Sequence, residues 1–202
     1  FEGLAIEITE DANNDGYINR DELKDNDIDV RVTLPEGAAA GDTLTISGSG
    51  NVDKVITLTQ AQIDAGYVDV KFNPTADNTD FVATATIRDV AGNSAGPVSD
   101  SARLQLSAPG KPVVTITEDA NNDGFINREE LDGDVDVKVS FNGDKVSVGD
   151  IVKVTSDGLT KEVAITAEDK ANGYITTAFT PPANGTNMVV TAATEAAAGN
   201  VS

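Results

Sequence analysis

The stretch "IDVRVTL", Ile28 to Leu34, alternates apolar and polar side chains without a break. Ile28, Val30, Val32 and Leu34 fall on one side of an extended chain, and Asp29, Arg31 and Thr33 on the other. A period of two is the mark of a strand that buries one face and wets the other. Val135, Val137, Val139 and Phe141 repeat the pattern further on, as do Val68, Val70 and Phe72, then Phe81, Ala83, Ala85 and Ile87. No stretch sustains a helical period, although "TQAQIDAG", Thr59 to Gly66, has the composition of one helical turn.

Working outward, the first half reads as seven strands, near 4–9, 28–34, 43–48, 53–59, 67–72, 81–88 and 97–106. Turn signals such as "PEG", "SGSGN" and "AGNSAGP" separate them. Short alternating strands punctuated in this way predict an all-β fold, an immunoglobulin-like β-sandwich.

The chain then says much of this again. "ITEDANNDGYINRDEL" begins at Ile8 and "ITEDANNDGFINREEL" at Ile116, a shift of 108 residues, whereas "AGN" ends at Asn93 and again at Asn200, a shift of 107. One deleted residue separates the copies. Solenoid periods run about 20 to 50 residues, so this spacing predicts whole domains in tandem. The boundary is placed in the Pro-flanked "SAPGKP", Ser107 to Pro112, giving immunoglobulin-like repeats over 1–108 and 109–202. The second repeat has no counterpart of residues 97–106, so it is expected to lack its last strand, as a piece of a longer chain would.

Composition narrows the chemistry. Acidic side chains outnumber basic ones 34 to 14, a net charge of −20, which repels nucleic acid and anionic lipid and favours cations. There is no Cys and no His, which removes thiolate sites, the usual zinc ligand and the usual general base. The N-terminal "FEGLAIEITED" lacks the pattern of a signal peptide, and no apolar run is long enough for a membrane span. The expectations are no membrane insertion, no nucleic acid and a monomer.

Within the first copy, Asp11, Asn13 and Asp15 stand at positions 1, 3 and 5 of a twelve-residue loop, with Gly16 at 6, Tyr17 at 7, Asn19 at 9 and Glu22 at 12. This is the spacing of an EF-hand calcium loop, where alternate side chains turn inward, position 7 offers its carbonyl and the last Glu supplies two oxygens. The second copy gives Asp119, Asn121, Asp123, Phe125 through its carbonyl, Asn127 and Glu130. The predicted cofactor is Ca²⁺. Two alternatives stand beside it, an acidic surface loop built on Asx turns and a Mg²⁺ site. The flanks are strand-like rather than helical, with at most a helical turn at "NRDELK". Asp25, Asp27, Asp132 and Asp134 read as a solvated strand entrance or a further weak site. Arg20 and Arg128 read as local partners of acids, Tyr67 and Tyr174 as core or sheet-edge packing.

Sandwich units in tandem, a "TEDANNDGYIN" loop after the first strand and a late "AGN" turn together resemble the immunoglobulin-like extender repeats of giant bacterial adhesins exported by type I secretion, the RTX adhesins of biofilms. The resemblance spans essentially the whole chain. It implies a calcium-stiffened stalk outside the cell that holds a distal binding domain away from the surface, with neighbouring repeats as partners. It also implies the loop residues named above as ligands and suggests that Asp89 of "RDVAGN" joins a junction metal; the second copy departs there, with Ala196 in that place and Glu195 beside it. The alternative is a module whose loops or face bind carbohydrate or protein. An enzyme is not expected, since nothing sets a raised-pKa acid in a pocket.

Overall fold

The computed structural model describes residues 1–202, which divide into two compact units, Phe1–Ser107 and Ala108–Ser202. Each is a sandwich of two sheets, paired antiparallel throughout but for one short parallel pair in the first unit.

In the first unit the strands are β1 (Ala5–Ile8), β2 (Tyr17–Ile18), β3 (Ile28–Thr33), β4 (Thr43–Gly48), β5 (Lys54–Thr57), β6 (Tyr67–Phe72), β7 (Asp80–Arg88) and β8 (Ser94–Leu104), with a short helix α1 (Gln60–Ala65) before β6. One sheet runs β1-β3-β6 and the other β2-β8-β7-β4-β5. The alternation in "IDVRVTL" decides the facing: β3 pairs Ile28 with Phe72 and Val32 with Val68, and all four are buried. Across the sandwich they meet Leu44, Ile46, Phe81, Ala83, Ala85, Ile87, Ala102 and Leu104 in one core. A buried aliphatic side chain of this kind contributes about 1.5–3 kcal/mol, so the inward set dominates stability.

All seven strands expected from the pattern are present. β8 starts at Ser94, ahead of the expected 97, because the turn at Asp89–Asn93 is tight: Asp89 N–H donates to Asn93 O and the Asp89 carboxylate accepts from both nitrogens of Asn93. The helical turn at Thr59–Gly66 is also there. Thr59 and Gln62 form a capping box, and Gly66 closes the end with a left-handed φ of 79°.

The second unit has β9 (Val113–Ile116), β10 (Val135–Ser140), β11 (Ile151–Ser156), β12 (Leu159–Ala164), helix α2 (Ala167–Asn172), β13 (Tyr174–Phe179) and β14 (Val190–Glu195). Its sheets run β9-β10-β13 and β12-β11-β14 around Val137, Val139, Val152, Val154, Ile165, Ile175 and Phe179. No strand occupies the place that β8 takes in the first unit. No helix of the chain is long and apolar enough to cross a membrane.

Candidate metal loops

Between β1 and β3 the chain makes a loop whose polar side chains fold back on its own backbone. Asp11 accepts from Asp15 N–H (3.1 Å) at Oδ1 and from Gly16 N–H (2.8 Å) at Oδ2. Asn13 Oδ1 accepts from Asp15 N–H at 2.9 Å, and Asp15 Oδ1 from Tyr17 N–H at 2.9 Å. In the second half Asn19 Oδ1 accepts from Asp21 and Glu22 N–H, while Glu22 Oε2 accepts from Asn19 N–H at 3.0 Å. Asn14 and Gly16 take left-handed φ values of 56° and 85°, which this inward wrapping requires and which suit Asn and Gly.

The second unit repeats these bonds from the loop backbone to the side chains. Asp119 accepts from Asp123 and Gly124 N–H, Asn121 from Asp123 N–H, Asp123 from Phe125 N–H, and Glu130 from Asn127 N–H. Asn122 and Gly124 have φ of 56° and 86°. Two loops 108 residues apart in sequence thus adopt one backbone path.

The first loop is also tied to its sheet. β2 runs parallel to the end of β8, with Arg103 N–H donating to Gly16 O and Gln105 N–H to Ile18 O. The carbonyls of Gly16 and Ile18 are thus taken by β8, while the Tyr17 carbonyl between them points away from it and is left for another partner. Arg20 is not the partner of an acid: its Nε donates to Leu106 O at 3.2 Å and pins the loop to the exit of the unit.

The structure gathers Asp11, Asn13 and Asp15 into one hydrogen-bonded group and Asn19 with Glu22 into another. It does not bring three acidic side chains together closely enough to hold a metal among themselves. The donor set still fits a hard cation. Every proposed ligand is an oxygen, and an ionised carboxylate has about four acceptor sites, of which the backbone N–H groups use only part. None of Asp11, Asp15, Glu22, Asp119, Asp123 and Glu130 forms an ion pair with a basic side chain.

The neighbouring Asp25, Asp27 and Asp29 are paired differently. The Lys71 ammonium lies 2.5 Å from Asp25, 3.0 Å from Asp29 and 3.9 Å from Asp27. The hydrogen bond from Lys71 holds the Asp25 carboxyl below its ordinary value, and the same bonds raise Lys71. Ala178 stands at the corresponding place in the second unit, where Asp132, Asp134 and Asp136 have no basic partner. Two buried carboxylates that the spacing rules do not flag, Glu10 and Glu118, immediately precede the loops. Glu118 accepts from Asp132 N–H at 2.6 Å, and burial pushes the Glu10 carboxyl up. Their repetition before both loops was the available signal.

No family model matches the chain, and no curated protein matches it. Among solved structures, the chain is similar to a Ca²⁺-stabilised adhesin that helps an Antarctic bacterium reach out and bind ice, at 24% identity and a TM-score of 0.44, over 98% of this chain and 46% of that one. It is similar to a 1.5-MDa bacterial ice-binding adhesin at 24% identity and a TM-score of 0.40, over 98% of this chain and 60% of that one. Fibronectin(III)-like modules of CbhA from Clostridium thermocellum match at 13% identity and a TM-score of 0.42, over 87% of this chain and 80% of theirs. The chain therefore spans about half to three-fifths of the two adhesin structures.

Proposed function

We propose that the chain is a calcium-stabilised spacer of a bacterial surface adhesin, working outside the cell, with one Ca²⁺ site in each of the loops 11–22 and 119–130. The observation that carries this is the repeated, pre-wrapped, all-oxygen loop in both units, whose carboxylates have no cationic partner. Asp11, Asn13, Asp15, the Tyr17 carbonyl, Asn19 and Glu22 hold the ion in the first unit. Asp119, Asn121, Asp123, the Phe125 carbonyl, Asn127 and Glu130 hold it in the second.

The bound ion neutralises carboxylates that otherwise repel one another and favours the folded loop over the open one. At a hundredfold excess over the dissociation constant, that linkage is worth about 2.7 kcal/mol per site. Because Arg20 and β2 attach the first loop to the end of β8, ordering it also stiffens the exit at Leu106. A spacer needs that stiffness, and it needs no pocket.

Calorimetric titration of the metal-stripped chain with CaCl₂ tests the reading. Two sites per chain and a raised melting midpoint are expected. An absence of binding heat together with an unchanged midpoint overturns it.

A further inference from the structure

The pair Asn-Gly occurs three times in the chain, at Asn142–Gly143, Asn172–Gly173 and Asn184–Gly185, always in the second unit. Such a pair carries its own chemistry, because asparagine is among the labile side chains. Glycine puts no Cβ in the way, so its backbone nitrogen can be reached by the carboxamide carbon of the asparagine before it. The reaction needs an asparagine side chain free to swing back and a glycine nitrogen that is open to solvent and not already bonded.

The fold withholds these freedoms from two of the three pairs. Asn142 caps a 3₁₀ turn over Gly143–Lys145, its Oδ1 accepting from Asp144 N–H at 2.9 Å. Gly143 is packed so closely that a Cβ there would stand 2.5 Å from Lys170 O. Gly173 ends α2, where its N–H donates to Asp169 O at 2.8 Å and its carbonyl accepts from Phe141 N–H. Asn184 and Gly185 are different. Both lie exposed in the turn between β13 and β14, and neither the Asn184 side chain nor the Gly185 N–H has a partner within the chain. Nothing stands within 4 Å of the place a Gly185 Cβ would take. The turn is held instead from Thr186, whose N–H and hydroxyl both donate to Ala183 O, at 3.1 and 2.5 Å.

The first unit shows what this turn accepts. "PTADNT", Pro74 to Thr79, is the counterpart of "PPANGT", Pro181 to Thr186, and the Thr79 N–H and hydroxyl make the same two bonds to Ala76 O. Asp77 stands in the place of Asn184, and Asn78, with a left-handed φ of 61°, in that of Gly185. A carboxylate at this position is thus compatible with the fold.

We propose that Asn184 is a self-modifying site, converted to aspartate and isoaspartate by water without an enzyme. Hydroxide takes the Gly185 N–H proton, and the nitrogen attacks Asn184 Cγ. The new N–C bond closes a cyclic imide as the Cγ–Nδ2 bond breaks, and Nδ2 leaves as ammonia with a proton from water. A second water opens the ring at either carbonyl, giving Asp or its β-linked isomer; nothing is oxidised or reduced. Each event adds one negative charge to the turn, and the α-linked product copies the side chain that the first unit encodes as Asp77. The charge on this turn therefore records the age of the chain.

The test ages the 202-residue chain at mildly alkaline pH, with and without urea, and follows each asparagine by peptide mass spectrometry. In the folded chain Asn184 should convert at least about tenfold faster than Asn142 and Asn172, which react only after local opening. In urea the three rates should converge, since the sequence pair is the same at each site. Gly185→Asn, which copies Asn78, should keep the fold and slow conversion of Asn184 to the level of Asn142, because a side chain then crowds the attacking nitrogen. An unchanged Asn184, equal rates at the three sites in the folded chain, or undiminished conversion in Gly185→Asn overturns the proposal.

Discussion

A Cβ added at Gly48 would stand 2.9 Å from ring atoms of both Phe72 and Phe81, at the centre of the first core. Gly48→Ala should therefore lower stability by about 1–3 kcal/mol through overpacking, seen as a lower denaturant midpoint at unchanged slope. Gly16→Ala acts by another route, placing a side chain at φ 85°. It should cost about 1–2 kcal/mol and weaken calcium binding at the first loop only. At this scale the sequence is legible where a rule concerns the residue itself, as with Gly16 or the inward Val30. It is less so where a partner decides. Of the two readings of Tyr67 and Tyr174, the structure takes sheet-edge packing: each opens an edge strand, and what its own spacing did not name is the cation over the ring, the Arg31 guanidinium at 4.0 Å and the Lys138 ammonium at 4.1 Å. Arg31 and Lys138 sit at even steps along strands, and nothing in their own spacing names the aromatic opposite.

The strand β2 shows the same limit among elements. Two residues carry no readable period, and β2 exists because Arg103 and Gln105, more than eighty residues away, donate to it. The antiparallel strands were legible because each carries its own alternation. The exit of the first unit is fastened by a further contact, in which Asp77 accepts from Leu106 N–H at 2.7 Å and from the Ser107 hydroxyl at 2.5 Å. Burial alone would raise this carboxyl, but those bonds bring it below its ordinary value. A lowered folded-state pKa stabilises above the unfolded value and stops doing so as pH falls through the folded one. Asp77→Asn should therefore destabilise by about 1 kcal/mol at pH 7. In melts repeated toward acid pH the gap to the parent should narrow as pH falls below the unfolded-state value and through the folded-state one.

For the molecule as a whole, net −20 means that any salt should raise the melting midpoint of the metal-stripped chain by screening. Calcium should add a saturable rise on top, still present when ionic strength is fixed with NaCl. Asp11→Asn combined with Asp119→Asn should abolish the saturable part and keep the screening part. Loop and fold were readable because both copies spell them out. The Lys71 ammonium, set among Asp25, Asp27 and Asp29, makes the first unit carry a tethered counter-ion wherever it goes. Ala178 denies the second unit that provision, so as the surroundings are rinsed of ions the two halves should loosen in sequence, the second before the first.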